Sequence, residues 1–161
     1  MNQLEKYFHA EKNESILFVT VGILAISTAI YFLVQIKLPF YNGLSYPLLL
    51  VALIQITIGS TIYLRSPKDL KRVSEFVNSN KSKIQSEEIP RMIIVMKNFE
   101  YYKWLEISLL AWGIGMFLYF NPSSLWKGLG LGLIIQSAFL LILDFFAENR
   151  GKVYLEYLNS L

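Results

Sequence analysis

PRMIIVMKNFEYYKWLEISLLAWGIGMFLYF, residues 90–120, opens as an amphipathic, charge-bearing helix and continues without a breaker into an apolar segment. A continuous helix over this run is roughly 46 Å long at about 1.5 Å per residue, more than the ~30 Å hydrocarbon core of a bilayer requires. About a third of it should therefore stand outside the membrane, on the cytosolic side. Met92, Val95, Met96, Phe99 and Tyr102 form its apolar stripe, and Arg91, Lys97, Asn98 and Lys103 its polar surface. That stripe is expected to pack on this chain or a second copy of it rather than to hold a cofactor. One carboxylate lies inside the apolar part, Glu106, in the context Trp104-Leu105-Glu106-Ile107-Ser108-Leu109-Leu110.

On either side of this run the sequence reads as membrane hairpins. The composition is 54% hydrophobic and 17% charged, which lies toward the membrane class. Uncharged, mainly apolar runs cover residues 15–36, 38–64, 107–126 and 128–143, and the first three reach the ~20 residues that cross a bilayer. The fourth does so by including Asp144 or by starting before Lys127. A soluble four-helix bundle would carry regular charged faces outside an apolar stripe, and these runs have none. The expected fold class is thus all-α: an integral membrane four-helix bundle of one domain, with spans at about 15–36, 44–64, 104–120 and 124–146. A cytoplasmic helical connection over 66–100 joins its two hairpins. No cleavable signal peptide is expected, because the first span follows a mixed-charge segment and is too long for an apolar signal core.

Taken in order, residues 2–13 read as a helical lead-in at the membrane surface, carrying Leu4, Tyr7 and Phe8 at helical spacing. Gly22, Ala25 and Ala29 then form a small-residue track that admits a second helix. Lys37, Pro39 and Asn42-Gly43 turn the chain back. The second span presents Ala52, Gln55, Gly59 and Tyr63 on one side, with Gln55 expected to bond a neighbouring helix. Ser66-Pro67-Lys68-Asp69 has the composition of a helix start, with Ser66 as its cap. Leu70, Val73, Phe76 and Val77 give the next apolar stripe, which Asn78-Ser79-Asn80 ends. Asn121-Pro122 makes the outer turn, Gly128 and Gly132 supply a GxxxG spacing, and the tail 152–161 reads as an exposed helical continuation.

Two wider patterns follow. Lys6, Lys12, the group from Arg65 to Lys103, Arg150 and Lys152 fall on one side, against Lys37 and Lys127 on the other. The positive-inside rule then puts both termini in the cytoplasm. Aligning Gly43-Leu44 with Gly128-Leu129 brings Arg65 onto Arg150 and Tyr41 onto Trp126, the pattern of a parallel internal repeat.

The acidic residues are the candidate site. Glu106 lies about 21 Å of helix from Phe120, deeper than Glu14 or Asp144, and a charge near mid-span costs on the order of 3 kcal/mol. A structural account pairs Glu106 with Lys103 or Arg65, or bonds it to Thr61. A functional account joins Glu106 to Asp144, Glu14, Glu11 and Glu148 in a cytoplasm-facing pocket for a proton, a cation or a basic ligand, with Arg65, Arg150 and Lys103 as charge partners. His9, the one histidine, reads as a surface residue, and the absence of cysteine excludes disulfides, thiolate catalysis and iron–sulfur ligation. No nucleotide loop, zinc-protease helix or serine elbow is visible.

The leading functional expectation is a non-enzymatic membrane protein that self-associates or docks another membrane protein. It would do so through cytoplasmic helices and the packing residues Gly22, Ala25, Ala29, Gly59, Gly128 and Gly132. The alternatives are a small proton or cation transporter or channel and, third, a carboxylate–metal enzyme. No cofactor and no nucleic-acid partner is expected, since the small basic excess is interspersed. The compact multi-pass form points to a cell membrane, with the bacterial inner membrane as the expected location.

Overall fold

The computed structural model describes residues 3–161. Over these the protein is 93% helical, with four helices and no strand. Helix α1 (Gln3–Tyr31) ends in a π-helical turn, Phe32–Ile36, closed by the Lys37 N–H donating to the Phe32 carbonyl at 3.0 Å. Lys37 sits at φ 55°, the left-handed region, and Leu38 is extended before Pro39 opens α2 (Pro39–Ser79). Asn80–Lys83 and a second π-helical turn, Ile84–Glu88, lead into α3 (Ile89–Tyr119), and Ser124 caps α4 (Leu125–Asn159) by accepting from the Lys127 N–H at 3.2 Å.

Pro90 falls in the first turn of α3, where its missing N–H costs nothing. The run over 90–120 is one unbroken helix except for its last residue, Phe120, which is extended. The stop at Asn78-Ser79-Asn80 also holds. Two local expectations are corrected. The turn after α1 takes only Lys37 and Leu38, so Asn42-Gly43 lies inside α2. Nor does Ser66-Pro67 open a new helix; both residues lie within α2. The Ser66 hydroxyl instead donates to the Phe8 carbonyl at 2.9 Å and to Glu11 Oε2 at 3.2 Å, locking α1 to α2.

Helices α1, α2 and α4 are long and apolar enough to cross a membrane. Only 11%, 28% and 28% of their most apolar windows is buried within the protein. A water-soluble bundle would hide such surface, whereas here Leu24, Leu50, Leu64, Ile142 and Phe146 all face outward. Helix α3 falls short of the same criterion, because Lys103 and Glu106 interrupt it and its apolar run then ends at Tyr119.

The packing order is α1, α2, α4, α3. Within each hairpin the helices run antiparallel: Ala29 meets Ser45 and Gly59 meets Ser15 between α1 and α2, and Gly113 meets Gly130 between α3 and α4. Between hairpins α2 and α4 run parallel, since contacts advance from Gly43–Leu125 through Pro47–Gly132 to Gln55–Gln136. Their crossing admits no side chain. A Cβ on Gly43 would stand 1.9 Å from the Leu125 carbonyl oxygen, and one on Gly128 would stand 1.8 Å from that of Phe40. These contacts are reciprocal: each glycine meets the residue three before the other and the residue one after it, Leu125 and Leu129 against Phe40 and Leu44. A local two-fold axis between α2 and α4 produces that pattern, and the repeat alignment of Gly43 with Gly128 has this geometric counterpart. Small residues follow in both hairpins: Ser45 packs on Ala29, and Gly130 packs on Gly113.

The largest core lies away from this crossing, at the end that holds the start of α1, the end of α2, the start of α3 and the end of α4. Leu4, Tyr7, Phe8, Val73, Phe76, Ile84, Met92, Tyr154 and Leu158 are buried together there. The tail continues α4 as a helix, exposed on one side and packed on the other, where Tyr154 and Leu158 are each 2% accessible. Tyr7 and Phe8 of the lead-in pack inside the protein. We predict that Gly43→Ala and Gly128→Ala each destabilise by about 1–3 kcal/mol or more through overpacking. Gly115 has nothing within 4 Å, so Gly115→Ala is expected to be neutral or to stabilise by up to about 1 kcal/mol. Unfolding in graded denaturing detergent reads all three.

Candidate functional site

The site is built on the antiparallel pairing of α3 with α4. On α3 the inward positions recur every seven residues at Met92, Phe99, Glu106 and Gly113; Phe99 is half-buried and the others are buried. On α4 they recur at Gly130, Ser137, Asp144 and Gly151, all buried except half-buried Asp144. Gly113 meets Gly130 at one end of this seam, and Met92 and Met96 lie over Gly151 at the other. A seven-residue period keeps one face of each helix on its partner. Glu106 thus occupies a position where the same helix elsewhere places methionine, phenylalanine and glycine.

The side chain of Glu106 is 6% exposed, and its Oε2 is buried with no hydrogen-bond partner. Asp144 is near enough to act on it electrostatically and is itself flanked by Glu14, Glu148 and Lys103. Each of the expected partners of Glu106 is engaged elsewhere. Lys103 Nζ lies 2.5 Å from Glu148, Arg65 pairs with Glu11 at 3.3 Å and Asp69 at 3.0 Å, and the Thr61 hydroxyl donates to the Thr57 carbonyl at 2.8 Å.

The remaining carboxylates do not join a single acidic pocket. Glu11 turns toward α2 and holds Arg65 and Ser66. Glu14 turns toward α4 and holds Arg150. Glu148 takes Lys103 and Lys152, whose hydrogen bonds hold its carboxyl below the ordinary range. What remains without an ion pair is Glu106 and Asp144, the latter with Lys103 within electrostatic reach. Among the described residues no three potential metal ligands converge, which is the geometry a carboxylate–metal enzyme would need. His9 is exposed.

The packing residues are all occupied from within the chain. Gly22 lies against Ala52 and Ile56, Gly59 against Ser15 and Val19, and Gly132 against Leu44 and Pro47, while Ala25 borders the buried Ala29. Gln55 is fully buried and donates to Gln136 Oε1 at 3.3 Å, the neighbour-helix bond that its position called for.

A second buried carboxylate was not legible in the sequence. Glu88, 1% exposed, accepts from Arg91 at 2.5 and 3.0 Å, from Arg72 at 3.3 Å and from the Tyr154 hydroxyl at 3.1 Å. Burial, reinforced by the Glu88 carboxylate, holds the Tyr154 phenol above its ordinary range, so it stays a donor. Tyr7 stacks on Tyr154 at 4.0 Å between ring centres. Glu88 closes the second π-helical turn at the end of a polar stretch, and only the fold brings Arg72, Arg91 and Tyr154 around it.

Comparison with protein-family models, curated proteins and solved structures finds no match to this chain. The two buried glutamates are therefore interpreted from their surroundings, and those surroundings predict opposite responses to one substitution. Glu88→Gln removes the charge that three donor side chains share and should destabilise by about 3–5 kcal/mol, the cost of breaking a buried ion pair. Glu106→Gln removes an uncompensated carboxylate and should unfold no earlier than the parent. Thermal unfolding of both variants in one mild detergent checks the contrast.

Proposed function

We propose that this chain is a four-span integral membrane protein that binds a proton or a small cation at the Glu106–Asp144 pair. Support for the fourth span comes from α3 packing along α4 from Gly130 to Gly151, so that a bilayer crossed by α4 encloses much of α3 as well. Lys and Arg residues concentrate at the end holding Arg65, Arg72, Arg91 and Arg150. By the positive-inside rule that end, with both termini and the 66–100 connection, faces the cytoplasm.

One observation carries the reading of the site: Glu106 is buried on a helix–helix seam, its Oε2 without a hydrogen-bond partner, with the carboxylate of Asp144 within electrostatic reach and no cation in contact. Acids that only hold a bundle together are matched with cations, as Glu11, Glu14 and Glu148 are here. Intramembrane acids without such partners mark proton and ion routes. With Lys103 committed to Glu148 and Arg150 to Glu14, a bound proton or small cation would supply the missing positive charge.

A second reading is a partner-docking membrane protein, in keeping with the non-enzymatic expectation. It is favoured by the position of α3 at the edge of the packing order, where Trp104, Trp112, Leu118 and Tyr119 are exposed. Self-association through the glycine tracks is the weaker form of that reading, because those tracks already hold the chain's own helices.

The test is flux in proteoliposomes, with protons and common monovalent and divalent cations run in parallel. The unaltered protein, Glu106→Gln and Asp144→Asn are compared at matched insertion. The expected result is flux that falls at least about tenfold in Glu106→Gln, the loss associated with about 1.4 kcal/mol of binding. Flux that is equal in all three overturns the role of the pair, and the absence of flux in every case shifts the weight to docking along α3.

A further inference from the structure

Glu106 and Asp144 stand at different depths on the seam of α3 with α4. Glu106 lies seven residues, about 10 Å, from the Gly113–Gly130 contact, and Asp144 lies fourteen residues, about 21 Å, from it toward the end holding Arg150. Side chains on a helix tilt toward its N-terminus. Helix α3 starts at the Arg150 end and α4 at the other, so Glu106 and Asp144 lean toward each other across the difference in depth. Lys103 leans the same way as Glu106 and reaches Glu148, one turn beyond Asp144. Burial falls off in that direction: Glu106 is buried, while Asp144, Glu14 and Glu148 are half-buried.

The opposite direction carries no such gradient. A Cβ on Gly113 would stand 2.8 Å from the Gly130 carbonyl oxygen, and one on Gly130 would stand 2.7 Å from that of Gly113, so the two backbones touch there. No residue of 107–126 or 128–143 is charged, nor any of 15–36 or 38–64 on the neighbouring helices. The charged groups that act on the pair are Glu14 from α1, Glu148 from α4 and Lys103 from α3, all on the Arg150 side, and the apolar run of α2 contributes none. Any ionic route to Glu106 therefore comes from that side, through Asp144.

What the seam offers a ligand is two carboxylates. Calcium takes about 6–8 oxygen ligands and magnesium about six. Among the described residues no third acid or histidine joins the pair, and the neighbouring hydroxyl on α3, that of Ser108, donates to the Trp104 carbonyl at 2.8 Å. A proton asks for one lone pair, and Glu106 Oε2 is buried with its acceptor capacity unused. Protonation also removes both the bare charge in the seam and the repulsion between two acids. We propose that the positive species at Glu106 is a proton, passed to it by Asp144 from the end holding Arg150. Asp144 gives up the proton that it takes from water at that end and Glu106 accepts it, so charge is exchanged between two carboxylates and nothing else is consumed. The inference rests on the reading of the pair as a binding site and narrows its ligand to one.

Infrared spectroscopy of the protein in lipid tests this, because a protonated carboxylic acid has a carbonyl stretch resolved from those of carboxylates and amides. At neutral pH the unaltered protein should show such a band, and Glu106→Gln should lose it. Sodium, potassium, magnesium or calcium chloride added at constant pH should leave the band in place. On transfer to heavy water the band shifts as the acid exchanges its proton. Asp144→Asn should slow that exchange at least about tenfold, a modest share of what one proton-transfer group contributes. A band that a cation abolishes at constant pH overturns the proton and leaves the cation reading of the pair standing. The absence of any band that depends on Glu106, together with no response to any of the cations, overturns both. A band that exchanges equally fast in Asp144→Asn overturns the route through Asp144.

Discussion

The backbone contact at Gly43 and Gly128 is the constraint on which the rest of the bundle depends. Within a bilayer, apolar side chains gain little by leaving lipid for protein, so helices associate through close packing and hydrogen bonds. With no Cβ at either position, the carbonyl of one helix reaches the Cα region of the other, and this fixes the distance between α2 and α4 at that level. The neighbouring crossings follow the same rule, with Ser45 on Ala29 and Gly130 on Gly113. Farther along, Gln55 and Gln136 tie the same two helices by a side-chain hydrogen bond. Gly22, Gly43, Gly59, Gly113, Gly128, Gly130 and Gly132 are all taken up by this internal packing. The surface left outside is large and branched, which suits lipid contact better than a second close helix.

At the other end the rules change within the same helices. Tyr7, Phe8, Val73, Met92, Tyr154 and Leu158 gather into a core with a buried ionic cluster beside it. Here water is the alternative environment, so apolar burial stabilises again. The four donor contacts on Glu88 meet the requirement that a buried charge be paired. Every helix thus has a small-residue half and a large-residue half. Only the second ties residues near both ends of the chain to its middle, through Tyr7, Met92 and Tyr154.

Features set by local chemistry were legible in the sequence. The apolar runs, the start at Pro90, the stop at Asn80, the turn at Asn121-Pro122 and the glycine tracks each have a local signature, and each is found in the fold. Ser66-Pro67 misled because capping and burial call for the same residue type. A serine hydroxyl that could cap a helix instead bonds the Phe8 carbonyl on another one. Glu88 was invisible for a related reason, since a glutamate among Ser86, Glu87 and Lys83 reads as solvated surface until the fold sets Arg72, Arg91 and Tyr154 around it. The ion-pair assignments failed for Glu106 because its candidate cations had alternatives. Lys103 is one turn from Glu106 in sequence, yet it reaches Glu148 on α4.

That last choice bears on what Glu106 is for. The seam of α3 runs Met92, Phe99, Glu106, Gly113, and packing asks for an apolar or small residue at the third position as at the others. A leucine or alanine there would meet the demands of the seam without the cost of burying an acid. Glu88 shows how this protein treats a carboxylate that it needs for structure: two arginines and a tyrosine surround it. Glu106 receives none of these, and its nearest charged influence is another acid. Stability therefore explains Glu88 and does not explain Glu106. A residue that helix packing does not require, held where an unmatched charge is costly, is the ground on which we propose a positive species that completes it.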